Sequence, residues 1–186
     1  MKVRRALWIF LALPLFAAEH TLQLTPEGTK IDWTLSDVLH TVHGTFKLKR
    51  GAVHFDPETS KASGEVVVDV ASGNSGSDAR DKRMHANVLE SAKYPEAVFT
   101  PNRVEGTIAL SGASHVKVHG TFRIHGADHE MTMDAQLNAS GDRMTATLTF
   151  SLPYVAWGMK DPSTFILKVS KSVDMRVEAS GSLLGQ

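Results

Sequence analysis

The stretch HTVHGTFKLKRGAVHFDPETSKASGEVVVDVASGNSGSDARDKRMHANVLESAKYPEAVF, residues 40–99, decides how this chain folds. Two runs of alternating apolar and polar residues lead through the Gly/Ser-rich segment 73–77 into one charged helical segment. Tyr94-Pro95 then returns the chain to an extended run. From Val42 the apolar residues hold even positions, Val42, Gly44, Phe46 and Leu48; beyond Arg50-Gly51 they hold odd ones, Val53 and Phe55. Period-two alternation marks a half-buried strand, and a parity change at a glycine predicts a β-bulge or bend. Asp56-Pro57-Glu58-Thr59 reads as a turn, and residues 65–70 as a strand with Val66, Val68 and Val70 on one face. The helix spans about 78–92. Ser77 or Asp78 can cap it, Asp81 sits in a first turn that favours an anion, and Met84, Val88 and Leu89 form a narrow apolar face.

The rest of the chain reads as strand. Residues 29–37 place Ile31, Trp33 and Leu35 on one side. Residues 97–101 and 104–110 read as two short strands, and residues 115–125 alternate through Val116, Val118, Gly120, Phe122 and Ile124. After a turn at Gly126-Ala127-Asp128-His129, the pattern resumes with Met131, Met133, Ala135 and Leu137, then with Met144, Ala146, Leu148, Phe150 and Leu152. Pro153 to Pro162 is irregular. Phe165, Leu167 and Val169 form a last face, which Val173, Met175, Val177 and Ala179 extend. About eight strands joined by short turns predict an all-β antiparallel sandwich or barrel, and closure removes exposed edges.

Lys and Arg together number 20, as do Asp and Glu, so no basic surface for nucleic acid is indicated. The chain has no cysteine, which excludes disulfides, thiol catalysis and an acylated-cysteine anchor. It opens MKVRRALWIFLALPLFAA: a basic start at Lys2, Arg4 and Arg5, an apolar run from Ala6 to Phe16, and small residues Ala17 and Ala18. This is the pattern of a secretory signal peptide over residues 1–18, with a domain over 19–186. The apolar run is shorter than the ~20 residues that span a bilayer, so no stable membrane anchor is expected.

Taken together, His43-Gly44-Thr45-Phe46, Gly51, Phe55-Asp56-Pro57, Ala71-Ser72, Arg80-Asp81, Met84-His85, Leu89, Tyr94-Pro95, Phe99 and the later 118–126 run VHGTFRIHG resemble the YceI-like family in order and spacing. The likeness runs from about residue 22 to 178. It implies an exported, elongated, eight-stranded antiparallel lipocalin-like barrel with one short helix near an end. It also implies a long apolar tunnel for polyisoprenoid or similar amphiphilic lipids, quinones included. By the residues alone the inner face reads first as a filled core, and the resemblance reverses that balance; the Met-rich set Met131, Met133, Met144 and Met175 suits irregular apolar surfaces.

With the resemblance, the candidate lining is Trp33, Phe46, Leu48, Val66, Val68, Phe99, Phe122, Met131, Met133, Leu148, Phe150 and Phe165, with Trp157 at the mouth. Burial of one isoprene unit contributes roughly 4 kcal/mol gross at about 0.8 kcal/mol per methylene. Micromolar binding needs about 8 kcal/mol after association costs of similar size, so roughly three to five units suffice without a strong polar anchor. The family's aromatic–glycine pair is present as Trp157-Gly158, but its preceding Asn-Arg pair is absent, which leaves the mouth and the head-group preference open.

Nine histidines suggest a second class, a metal- or haem-binding envelope protein. His115, His119 and His125 share a face by parity, yet on a strand they stand about 13 and about 20 Å apart, too far for one ion. His40 and His43 lack a marked third ligand. Arg80, Asp81, Arg83 and His85 read as rim contacts that fix the helix rather than an acid–base site. No Gly-x-Ser-x-Gly, HExxH or phosphate loop occurs, so no enzyme is expected. The expected cofactor list is empty apart from a bound isoprenoid or prenyl quinone. The expected location is periplasmic or secreted, and the resemblance allows a homodimer.

Overall fold

Eight strands form one closed antiparallel barrel in the order in which the chain makes them. The computed structural model describes residues 19–36, 40–165 and 167–185; the leader expected over residues 1–18 lies outside them. The strands are β1 (His20–Ser36), β2 (Thr41–Phe55), β3 (Ala62–Asn74), β4 (Glu96–Glu105), β5 (Gly112–Ile124), β6 (Ala127–Ser140), β7 (Arg143–Leu152) and β8 (Val173–Gly185). The helix α1 (Asp78–Arg83) follows β3 and widens into a π-helical turn, Met84–Val88, so it ends short of the predicted residue 92. β8 pairs with β1, Leu183 beside Leu22 and Met175 beside Trp33, and no sheet edge remains.

The parity switch in β2 is a bulge. Leu48 pairs with Val68 and Arg50 with Val67, so Lys49 is the extra residue. Leu48 and Gly51 both turn inward as a result. Outside the barrel, Val67 is completely excluded from solvent. Glu65 on its own strand and Arg50 opposite it join Lys49 and Glu96 in surface ion pairs around it.

Three sequence assignments change. Residues 97–101 and 104–110 are one strand, β4, bent between Pro101 and Arg103, and it stops at Glu105. β1 starts at His20 rather than 29, its register shifting between Leu24 and Ile31. Phe165, Leu167 and Val169 lie in no strand: they belong to the loop between β7 and β8, which carries local bonds such as Val169 N–H to Ser163 Oγ (3.0 Å).

The barrel has two unlike ends. The connections after β2, β4 and β6 close one end, the base. The end of β1, the start of β2, the helix, the β5–β6 turn and the β7–β8 loop gather at the other, the mouth. At the base Leu22, Leu24, Phe55, Val104, Ile108, Val116, Ala135, Leu137, Ala139, Met144, Ala146 and Ala179 are buried against one another. This half is a filled core.

Candidate functional site

Toward the mouth the packing changes. Phe46, Val66, Val68, Phe122, Met131, Leu148, Phe150 and Val177 are on the inward face by register, yet each keeps part of its surface accessible. All of them border the buried cluster. Inward-facing apolar side chains that stay accessible inside a closed barrel line unfilled space. The upper lumen is therefore an apolar chamber above a solid base.

Of the predicted lining, Trp33, Leu48, Phe99 and Met133 are buried in the wall, and Phe46, Val66, Val68, Phe122, Met131, Leu148 and Phe150 are partly exposed to the lumen. Trp157 sits at the mouth, as expected, tilted against Phe122 at 6.1 Å and stacked on His129 at 4.1 Å. Phe165 is not a lining residue. It is 96 % exposed in the β7–β8 loop, because its run of alternation belongs to no strand.

Glycines let the aromatic walls lie flat. A Cβ on Gly44 would come within 2.2 Å of the Trp33 indole, and one on Gly120 within 2.7 Å of the Phe99 ring. Both rings thus rest on bare backbone of the neighbouring strand.

The helix straps the mouth and is fastened at both ends. At its start Arg80 Nε donates to Ser75 Oγ (2.7 Å) and Nη2 to the Ser75 carbonyl (2.9 Å), while the Ser75 N–H donates to Asp81 Oδ1 (3.0 Å). No side-chain cap forms at Ser77. Beyond the π-turn, Glu90 meets His125 Nε2 at 2.7 Å, and Tyr94 packs on the β5–β6 turn, 2.7 Å from where a Gly126 Cβ would sit. In between, His85 Nε2 donates to the Gly73 carbonyl at 2.9 Å, and Met84 reaches over the same glycine. The Arg80–Asp81 pair is thus a rim fastening, as the sequence suggested.

The histidines are dispersed. His54 bonds Thr21, His43 bonds Thr34, and His119 lies between Glu105 and Thr132. His125 leaves the β5 face altogether, at φ 52° in the turn. Among the described residues no three His, Cys, Asp or Glu side chains gather to hold a metal ion. A pocket of about 940 Å³ is lined both by polar residues such as Asp32, His43, Thr149 and Arg176 and by Trp33, Phe150 and Met175.

Two features escaped the sequence reading. His129, assigned to a turn, lies in β6 opposite Phe122 and so faces the lumen. Its spacing with Met131 and Met133 was the available signal. Four buried polar atoms, Thr29 Oγ1, Trp33 Nε1, His85 Nδ1 and His129 Nε2, have no hydrogen-bond partner among the described residues. Thr29 pairs with Ala179 of the base, whereas the other three belong to the mouth half of the barrel, where an apolar chamber would otherwise carry no polarity.

The YceI-like domain matches residues 22–180. The chain belongs to the YceI-like family. A UPF0312 protein of Pseudomonas putida strain W619 is 30 % identical over 176 residues, covering 89 % of this chain and 86 % of its relative. Protein YceI of Escherichia coli O6:H1 is 29 % identical over 103 residues, 54 % of this chain and 51 % of that one. Among solved structures, Burkholderia cenocepacia BcnA superposes with a TM-score of 0.70 at 17 % identity, covering 85 % of this chain and 99 % of that one. A polyisoprenoid binding domain from Saccharophagus degradans, implicated in plant cell wall breakdown, superposes with a TM-score of 0.67 at 18 % identity, covering 89 % and 98 %. These likenesses establish the YceI barrel for this chain.

Proposed function

We propose that this YceI-like protein is a non-enzymatic carrier or store for a long-chain isoprenoid or similar amphiphilic lipid, held in the upper lumen. The observation that carries the reading is the contrast between the two halves of one inner face. Met144 and Val116 at the base are sealed, whereas Met131, Phe122 and Leu148 nearer the mouth keep accessible apolar surface. That the Saccharophagus degradans domain of the same fold is a polyisoprenoid binding domain supports it.

The unpartnered Trp33 Nε1, His85 Nδ1 and His129 Nε2 favour a ligand with an oxygen-bearing end over a pure hydrocarbon. An indole N–H only donates, so its partner must be an acceptor. The apolar leader-like start of the sequence favours work in the periplasm or outside the cell. No chemical step is assigned to the protein.

Native mass spectrometry of protein purified without detergent, followed by denaturing extraction, tests the reading. A co-purifying molecule of several isoprene units, or stoichiometric uptake of an added prenyl quinone, is expected. An empty protein that takes up no prenyl quinone would overturn it, and bound metal or haem would favour the histidine alternative.

A further inference from the structure

The β7–β8 loop turns Trp157 in toward the lumen and Phe165 out into water. The outward turn is braced. Thr164 N–H donates to the Leu167 carbonyl (2.8 Å), and Leu167 N–H donates to Thr164 Oγ1 (3.0 Å), so the backbone doubles back and Phe165 stands at its tip. Asp161 Oδ1 accepts the Ser163 N–H at 2.8 Å and steadies the approach. A phenylalanine held wholly in water by an ordered turn is unfavourable in the free protein and contributes nothing to its packing.

Its neighbours are basic. Lys160, Lys168 and Lys171 are exposed in the same loop, against the single carboxylate Asp161. On the same rim α1 presents Arg80, Lys82 and Arg83 to solvent, against one exposed carboxylate, Asp78. In the base connections Glu58 and Asp142 are exposed beside Lys61. The other large apolar side chains that stand exposed among the described residues are Leu110, in the β4–β5 connection at the base, and Leu184 near the base end of β8.

We propose that the mouth end docks reversibly on an anionic phospholipid surface, with Phe165 entering the headgroup layer and Lys160, Lys168 and Lys171 lying among the phosphates. A lone aromatic tip in a loop that carries three exposed lysines offers no flat apolar patch for a protein partner. It does suit a fluid interface, where the lysine stems lie along apolar surface and their ammonium groups stay wet. One aromatic and a few lysines give marginal attachment, so the protein comes off as readily as it goes on. The docked pose points the lumen at the membrane. The docking goes beyond the lipid-carrying role and does not require it.

Co-sedimentation with phosphatidylcholine vesicles, with and without phosphatidylglycerol, tests this on the full mature chain. Wild-type protein is expected to partition onto the phosphatidylglycerol vesicles and to be released by salt. Phe165→Ser is expected to weaken partitioning about tenfold or more. Lys168→Glu and Lys171→Glu should each weaken it by about fivefold or more. Prenyl quinone uptake from dilute dispersion should be the same in Phe165→Ser as in wild type, so failure of the docking and failure of the lumen reading give different results. Absence of wild-type binding at low salt, or equal binding by Phe165→Ser, would overturn the proposal. So would loss of self-association in Phe165→Ser without any vesicle binding, which would assign the tip to a second copy of the chain.

Discussion

The imidazole of His129 lies flat on the indole of Trp157, ring centres 4.1 Å apart and planes 7° from parallel. Phe122 completes the contact from the neighbouring strand. This stack joins the β7–β8 loop to the inner face of the barrel at the mouth, where the ligand proposed for the lumen would pass. Aromatic contacts of this kind are worth about 0.5–1.5 kcal/mol beyond burial. Trp157→Ala is therefore expected to speed release of a fluorescent prenyl analogue about three- to tenfold in a stopped-flow experiment. An unchanged rate would mean the stack does not gate the lumen.

The two halves of the barrel should separate stability from binding. Phe122→Asp or Phe150→Asp places a charge among the accessible apolar side chains of the chamber, and uptake of a prenyl quinone should vanish while the circular dichroism spectrum is retained. Met144→Ala removes a side chain only 1 % exposed at the base. It should lower the unfolding free energy by roughly 2–5 kcal/mol and leave the binding stoichiometry as it was. Denaturant titration beside ligand titration reads both. Full uptake by a folded Phe122→Asp protein would move the ligand elsewhere.

Gly73 is the seat of the strap. A Cβ there would meet Phe46 Cε1 at 2.6 Å, Met84 Cε at 3.0 Å and His85 Cε1 at 3.2 Å. Gly73→Ala should cost about 1–3 kcal/mol by overpacking. It should also release the helix first, seen as faster amide exchange over residues 78–91 with β6 and β7 unaffected. Ser75→Ala, which removes the Oγ that accepts from Arg80 Nε and donates to Asp81 Oδ1, should loosen the fastening and give a weaker form of the same exchange pattern by another route.

Tyr154 predicts an alkaline limit. Its hydroxyl donates to the Ser170 carbonyl at 2.7 Å, and burial, helped by the nearby Asp161, pushes the phenol up to about 12. In the unfolded chain the group ionises near 10, so its stabilisation is complete below about pH 10 and is lost as pH rises toward 12. The loss should amount to roughly 1–2 kcal/mol in melting curves taken across that window. Tyr154→Phe should flatten the decline, at a cost of about 1 kcal/mol at neutral pH for the missing hydrogen bond. A decline equally steep in both proteins would place its origin elsewhere.

Much of the barrel was legible because a strand sorts its side chains two by two, and only register has to be added. The bulge at Lys49 could be placed to within two residues because two apolar rows of opposite parity flank it. The same rule misled at Phe165, Leu167 and Val169. Their alternation is strand-like, but Ser163, Thr164 and Asp161 satisfy the local backbone with side-chain bonds, and no ladder is needed. The lining residues followed from parity. The chamber itself did not, since a row of apolar side chains reads alike whether the space before it is filled or open. Its polar atoms were hidden for a related reason: whether Trp33 Nε1 finds a partner depends on which strands approach it.

Ring closure also dictates a schedule. Trp33 cannot meet Met175, nor Leu22 meet Leu183, until the last strand has been delivered. Until then β1 and β7 are bare edges, each ready to pair with a foreign strand. Such distant pairing is slow to form. A chain threaded across a membrane in the extended state would therefore spend its most vulnerable moments just before β8 arrives, and the final hydrogen-bonded seam completes and protects the whole barrel at once.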